Sequence, residues 1–187
     1  MSKKLMKNKI NMRKYVLMWL GFHLVTSASA ADEAFDAYLK RSANPANLGL
    51  REDGRFYPYA SPVGRRIGYR QMVTNKKLFR DGWSEEEARQ AFALQIAEVE
   101  SQWAKRLEVQ FSRKFDELPV ESREILVDFG VSEGVKQVSP EFVQVAIDLD
   151  WERILLPEFY ARHEAVWPNT ERNQAFYQRW AGKAVAK

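Results

Sequence analysis

The chain has 187 residues, enough for one domain that buries an apolar core without covalent staples, and it contains no cysteine, which excludes disulfides and thiolate metal sites. Its 29 Lys and Arg against 25 Asp and Glu give a formal charge of +4, but Lys3, Lys4, Lys7, Lys9, Arg13 and Lys14 all precede the first acidic residue, Asp32. Without those six the balance is 23 basic against 25 acidic, or −2, which removes the electrostatic reason to expect a nucleic-acid partner.

The Lys-rich start runs into an apolar segment from Tyr15 to Val25, and then into Ala28, Ser29 and Ala30, which fit the small-x-small pattern of a cleavage site. Residues 1–30 therefore read as a secretory signal peptide, with cleavage after Ala30. The apolar segment falls short of the roughly 20 residues that a spanning helix needs. An uncleaved signal anchor is the alternative. The expected product is an exported protein, periplasmic or secreted. It is a monomer with no stable membrane span after processing, and its one domain covers residues 31–187.

Residues 31–53 read as helical with an interruption, since "DEAFDAYLKRS" is amphipathic and Pro45 and Gly49 punctuate the stretch after it. Residues 55–72 are rich in aromatic and β-favouring side chains, and Ser61, Pro62 and Gly64 match the first, second and fourth positions of a type I turn. That pattern predicts a short β-hairpin. Ser84, with Glu87 three residues on, is a capping box that opens a long helix. Its apolar stripe is Ala88, Phe92, Ile96, Val99, Trp103 and Leu107. A second amphipathic segment, "LPVESREILVDFGVSEG", ends near Gly130 or Gly134. One or two further helices start at Ser139 or Pro140, with a break or restart at Pro157, and a last one carries Ala175, Phe176 and Trp180. The fold class is α+β, mainly α.

No cofactor is implied. His163 is the one histidine beyond the leader, with no partner histidine or thiol at ligand spacing, so no metal is expected. There is no nucleophile elbow and no phosphate-cradling glycine loop. What remains is "EDGRFYPYASPVGRRIGY", residues 52–69, in which a carboxylate precedes aromatics, a turn and a glycine-bearing return segment.

This stretch resembles the catalytic hairpin of the phage-type lysozymes, the endolysin muramidases of glycoside hydrolase family 24. Glu52 falls at the family's catalytic Glu, which ends a helix there, Phe56 at an apolar position, Tyr59 at a Tyr, and Ile67, Gly68 and Tyr69 in the "TIGYGH"-like return strand. "WSEEEARQAFALQIAEVESQ" is similar to the interlobe helix, "ESREILVDFGVSEG" to the "ALVSFAFNVG" helix, and "WPNTERNQAFYQRW" to the terminal segment. The resemblance implies a two-lobed domain with a small front hairpin and a long interlobe helix. It also implies contact with peptidoglycan glycan strands, with Glu52 as general acid and Arg55, Tyr59, Ser132 and Arg172 as substrate-binding residues.

The departures fall on the chemistry. Ser61 occupies the family's Asp position, Arg66 its Thr position, Arg70 and Gln71 stand for "GH", and Gln95 replaces an acid on the long helix, so that Gln71 and Gln95 can pair as neutral amides. Glycoside hydrolysis ordinarily uses a protonated carboxyl and a second, ionised one. Ser61 can position a water but cannot be that base near neutral pH, and a cation at Arg66 opposes the raised pKa that a general acid needs. Three readings stay open. One is a glycosidase or lytic transglycosylase-like enzyme working through Glu52, which the matching positions favour. Another is a catalytically impaired module that binds peptidoglycan, and the last is an interaction domain.

Overall fold

A computed structural model of the chain describes residues 33–44, 46–61, 64–74, 79–160 and 170–184. The expected leader at 1–30 with its cleavage point, and His163, lie outside the described residues. The chain resolves into Met1–Ala34 and Phe35–Lys187, and all but the first two described residues belong to the second unit. Its elements in order are α1 (Glu33–Ala43), β1 (Tyr59–Ser61), β2 (Gly64–Ile67), β3 (Gln71–Met72), α2 (Glu85–Phe111), α3 (Val120–Glu133), α4 (Pro140–Asp148), α5 (Trp151–Ile154), α6 (Pro157–Tyr160) and α7 (Thr170–Ala184). The fold is thus mainly helical with one small antiparallel sheet, in strand order β1-β2-β3.

Helix does not resume between the expected interruption and residue 53, although the first helix forms on the amphipathic stretch. It ends at Ala43, and Asn44 then holds the chain in a non-helical path: its Oδ1 accepts from the Leu48 N–H at 2.8 Å, and its Nδ2 donates to the carbonyls of Leu48 (3.1 Å) and Gly68 (3.0 Å). Asn and Asp side chains compete with helical bonding in this way. Gly49 comes next at φ 83, where a Cβ would come within 2.2 Å of the Tyr57 carbonyl oxygen, so the close approach of these two segments requires glycine.

The sheet also differs from the expected hairpin. Residues 55–58 stay outside the ladder. Phe56 instead exchanges two 2.7 Å backbone bonds with Trp83 and forms an isolated bridge to Leu50. Tyr59 pairs with Arg66, Ser61 with Gly64, and Ile67 with Gln71. Of the turn, Pro62 and Val63 lie outside the described residues. The return segment breaks after Ile67, because Gly68 (φ 55) and Arg70 (φ 75) are left-handed and reverse the chain into β3. Tyr69 between them turns inward, its ring 5.6 Å from Phe56 and 5.4 Å from Phe92, and its hydroxyl donates to Glu85.

Helix α2 forms as its capping box predicts, with Ser84 Oγ accepting from the Glu87 N–H at 3.2 Å and Glu87 Oε2 accepting from the Ser84 N–H at 2.7 Å. At 27 residues it is about 40 Å long and runs through two apolar clusters. Ala88 and Phe92 join Phe35, Leu39, Phe56, Ile67 and Tyr69 at the front, while Val99, Trp103 and Leu107 join the helical body behind. Ile96 is half-buried.

Helix α3 is not amphipathic. Every residue from Glu124 to Gly130 is buried, since α3 packs between α2 and α4 and α7 covers a further side through Phe176 and Trp180. A Cβ on Gly130 would lie 2.5 Å from Val99 Cγ1 and 2.6 Å from Trp103 Nε1, which is the physical reason for glycine there. Helix α4 begins at Pro140 with Ser139 as N-cap, and Pro157 restarts the chain as α6, both as expected. Among the described residues no helix is long and apolar enough to cross a membrane.

Candidate functional site

The loop before the sheet is built by backbone bonds: Gly54 N–H donates to the Arg51 carbonyl at 2.9 Å, and Arg51 N–H to the Arg55 carbonyl at 3.1 Å. Glu52 stands at the tip of that turn, exposed, rather than at the end of a helix. It has no hydrogen bond or ion pair among the described residues. Its neighbour Asp53 is the engaged carboxylate. It accepts from the Arg55 N–H at 3.0 Å and from the Tyr57 hydroxyl at 2.8 Å, and these two bonds, the backbone one foremost, hold it below the usual carboxylate range. Arg51 stacks over the Tyr57 ring at 4.1 Å.

Arg55, expected to bind substrate, braces this loop against the start of α2. Its Nε donates to the Asp81 carbonyl at 2.7 Å, and its Nη2 to the Gly82 carbonyl at 3.0 Å and to Glu87 at 3.5 Å. A planar guanidinium suits such a fork.

Strand alternation puts Tyr59, Ser61 and Arg66 on one face of the sheet and Ile67 and Gln71 on the other. On the first face Ser61 Oγ donates to the Gly64 carbonyl at 2.7 Å and accepts from Arg66 Nε at 3.3 Å, and Arg66 Nη1 donates to the Arg70 carbonyl at 3.3 Å. Burial pulls the Arg66 guanidinium below its ordinary pKa and pushes the Tyr59 hydroxyl up, the latter opposed by the charges of Arg66 and Arg70. On the other face Gln71 Nε2 donates to Gln95 Oε1 at 3.2 Å. That is the neutral amide pair the sequence allows.

Ser132 and Arg172 lie in the helical body and are turned to its own needs. Ser132 Oγ donates back to the carbonyls of Asp128 (2.9 Å) and Phe129 (3.3 Å) within α3. Arg172 is buried, at 3% exposure, with its Nη2 3.0 Å from Asp128 Oδ2 and its guanidinium 4.5 Å over the Phe129 ring. Tyr38 of α1 donates to the same Asp128 oxygen at 2.9 Å.

The structure therefore brings Tyr59, Ser61 and Arg66 together, sets Glu52 and Arg55 in the preceding loop, and encloses Arg172. Arg70, whose carbonyl accepts from Arg66, feels charges from both the hairpin and the helical body. Burial lowers its pKa, as do the nearby charges of Arg66 and Arg172, with Glu133 opposing them. Neither Arg70 nor Asp128 stands out in the sequence as a site residue. For Asp128 a signal exists, a carboxylate in the middle of the apolar run "ILVDFGV". The place of Arg70 depends on its positive φ and has none.

Among the described residues no three or more His, Asp or Glu side chains are grouped to hold a metal ion. An open groove of about 480 Å³ beside the second half of α2, lined by Lys105, Arg106, Val109 and Lys136 among others, contains none of these site residues. Compared with family models, curated proteins and solved structures, the chain matches none.

Proposed function

We propose that this is an exported, lysozyme-like module that binds peptidoglycan glycan strands and has lost the paired-carboxylate route to cutting them. The observation that carries this reading is the Ser61 contact set. Where the resemblance calls for an ionised carboxylate, a hydroxyl donates to the Gly64 carbonyl and receives the Arg66 guanidinium. Among the described residues of that face, none is a carboxylate that could activate a water as a base or stabilise the cationic sugar of the transition state. The order of the elements, the long α2 running through both apolar clusters, and the Gln71–Gln95 bond support the lysozyme-like comparison.

A second reading, cleavage by Glu52 alone, is favoured by one observation: Glu52 is an exposed, unengaged carboxyl on a loop braced by Asp53 and Arg55. One assay separates the two. The protein purified after export is incubated with insoluble peptidoglycan, then scored for pelleting with the wall and for released muropeptides. Pelleting without release is expected. Release that Glu52→Gln abolishes would replace the binding reading with the single-carboxylate enzyme. Neither pelleting nor release would leave an interaction domain.

A further inference from the structure

Arg66 lies against the Arg70 main chain, the charge of Arg172 reaches Arg70, and the three arginines are neutralised unequally. Arg172 has Asp128 at 3.0 Å. Arg66 is half-buried and, among the described residues, donates only to neutral oxygens, Ser61 Oγ and the Arg70 carbonyl. Arg70 is half-buried too, and its guanidinium makes no hydrogen bond or ion pair among the described residues. The acidic group whose charge reaches it is Glu133, which has interactions of its own.

Desolvated cations are costly unless an anion meets them. The backbone adds a second cost, because Arg70 holds φ 75, a conformation that glycine adopts without steric penalty and an L side chain does not. A chain that places a long cation there, beside another, concentrates positive charge at one spot. The Tyr59 hydroxyl lies beside the Arg70 main chain, on the same sheet face as Arg66, and supplies a neutral donor.

We propose that Tyr59, Arg66 and Arg70 form an oxyanion site that takes a carboxylate carried by a glycan, the two guanidiniums donating to the carboxylate oxygens and the phenol completing the set. The identity of the ligand as a glycan rests on the function proposed above, whereas the anion site rests on the arginine geometry alone. The carboxylate can sit on the sugar itself, as in a lactyl ether, or on a peptide branch.

The test is calorimetric titration of the exported protein with a muramic-acid-containing tetrasaccharide, the same tetrasaccharide with its carboxylates amidated, and the peptide-branched form. The acid form should bind at least tenfold tighter than the amidated form, and the ratio should shrink as salt is raised. Because the peptide is joined by an amide to the lactyl carboxyl, the branched form carries its carboxylates only on the peptide: binding as tight as the acid form or tighter would put the carboxylate on the branch, and weaker binding would put it on the sugar. Both sources support the site. Arg70→Gly, which suits the positive φ, and Arg66→Gln should each reduce the acid-to-amide ratio to near one without lowering the unfolding midpoint. Equal binding of acid and amidated glycans by the parent would overturn the site and leave glycan binding intact, as would a ratio that survives both variants. If no glycan binds, the glycan reading fails. Polyglutamate then decides the site: binding lost in Arg70→Gly upholds it, and binding that is absent or unchanged in that variant overturns it.

Discussion

The helical body and the hairpin face treat arginine in opposite ways. In the body, Arg172 meets Asp128 at 3.0 Å and Arg179 meets Glu124 at 2.8 Å, and Tyr38 ties the first pair to α1. These contacts join α7 to α3 across more than 40 residues of chain, so the charges are part of how the body closes. On the hairpin face, among the described residues, Arg66 reaches only neutral oxygens and the Arg70 guanidinium reaches none. A buried charge answered inside the protein is structural, whereas one left unanswered is available to something outside it.

The largest effect expected from this contrast is at Asp128. Asp128→Asn leaves Arg172 charged in a site where its side chain is 4% exposed, and should cost about 3–5 kcal/mol of stability in denaturant unfolding. The paired change Asp128→Leu with Arg172→Met, which removes both charges, should recover most of that loss. A cost below about 1 kcal/mol for Asp128→Asn, the size of an exposed pair, would mean that the two regions do not differ in kind.

A smaller effect, of opposite sign, belongs to the hairpin. Arg70→Gly should leave stability unchanged or raise it by up to about 1 kcal/mol, because it relieves a left-handed L residue and is offset in part by the added freedom of glycine in the unfolded chain. A clear loss in the same unfolding assay would show that Arg70 serves the fold, as Arg172 does.

The smallest effect is the acid limb of the Glu52 loop. Asp53 titrates below the ordinary carboxylate range, so it binds protons less readily folded than unfolded. Its contribution to the loop is present above the unfolded value near pH 4 and is lost as pH falls through the depressed folded value. Below neutral pH the Tyr57 resonances should therefore move only on that acid side, and Asp53→Asn should remove that movement. A Tyr57 titration centred near neutral pH would place another group in control.

Where neighbours in sequence decide the outcome, the sequence is enough. Ser84 and Glu87 cap α2 across a single turn, Ser139 and Pro140 start α4 in the same local way, and the apolar spacing of Ala88, Phe92, Val99, Trp103 and Leu107 puts one face of a helix in the core wherever that core lies. The mainly helical class with a small sheet near the front comes from such short-range rules. Residues 46–53 fall in the stretch read as interrupted helix and 68–70 in the one read as hairpin, because the side chains that redirect them are distant or indifferent to pattern. Asn44 bonds to Gly68, Phe56 to Trp83, and nothing in the letters "GYR" announces two left-handed residues around an inward tyrosine. Helix α3 reads as one-sided, since its Asp128 and Glu124 suggest a solvent face. They are buried because α7 brings arginines to them from 44 and 55 residues away. Charge state and sign are written in each side chain, but whether a charge ends up answered depends on which distant segment folds against it, and that is set only when the helices and the sheet pack.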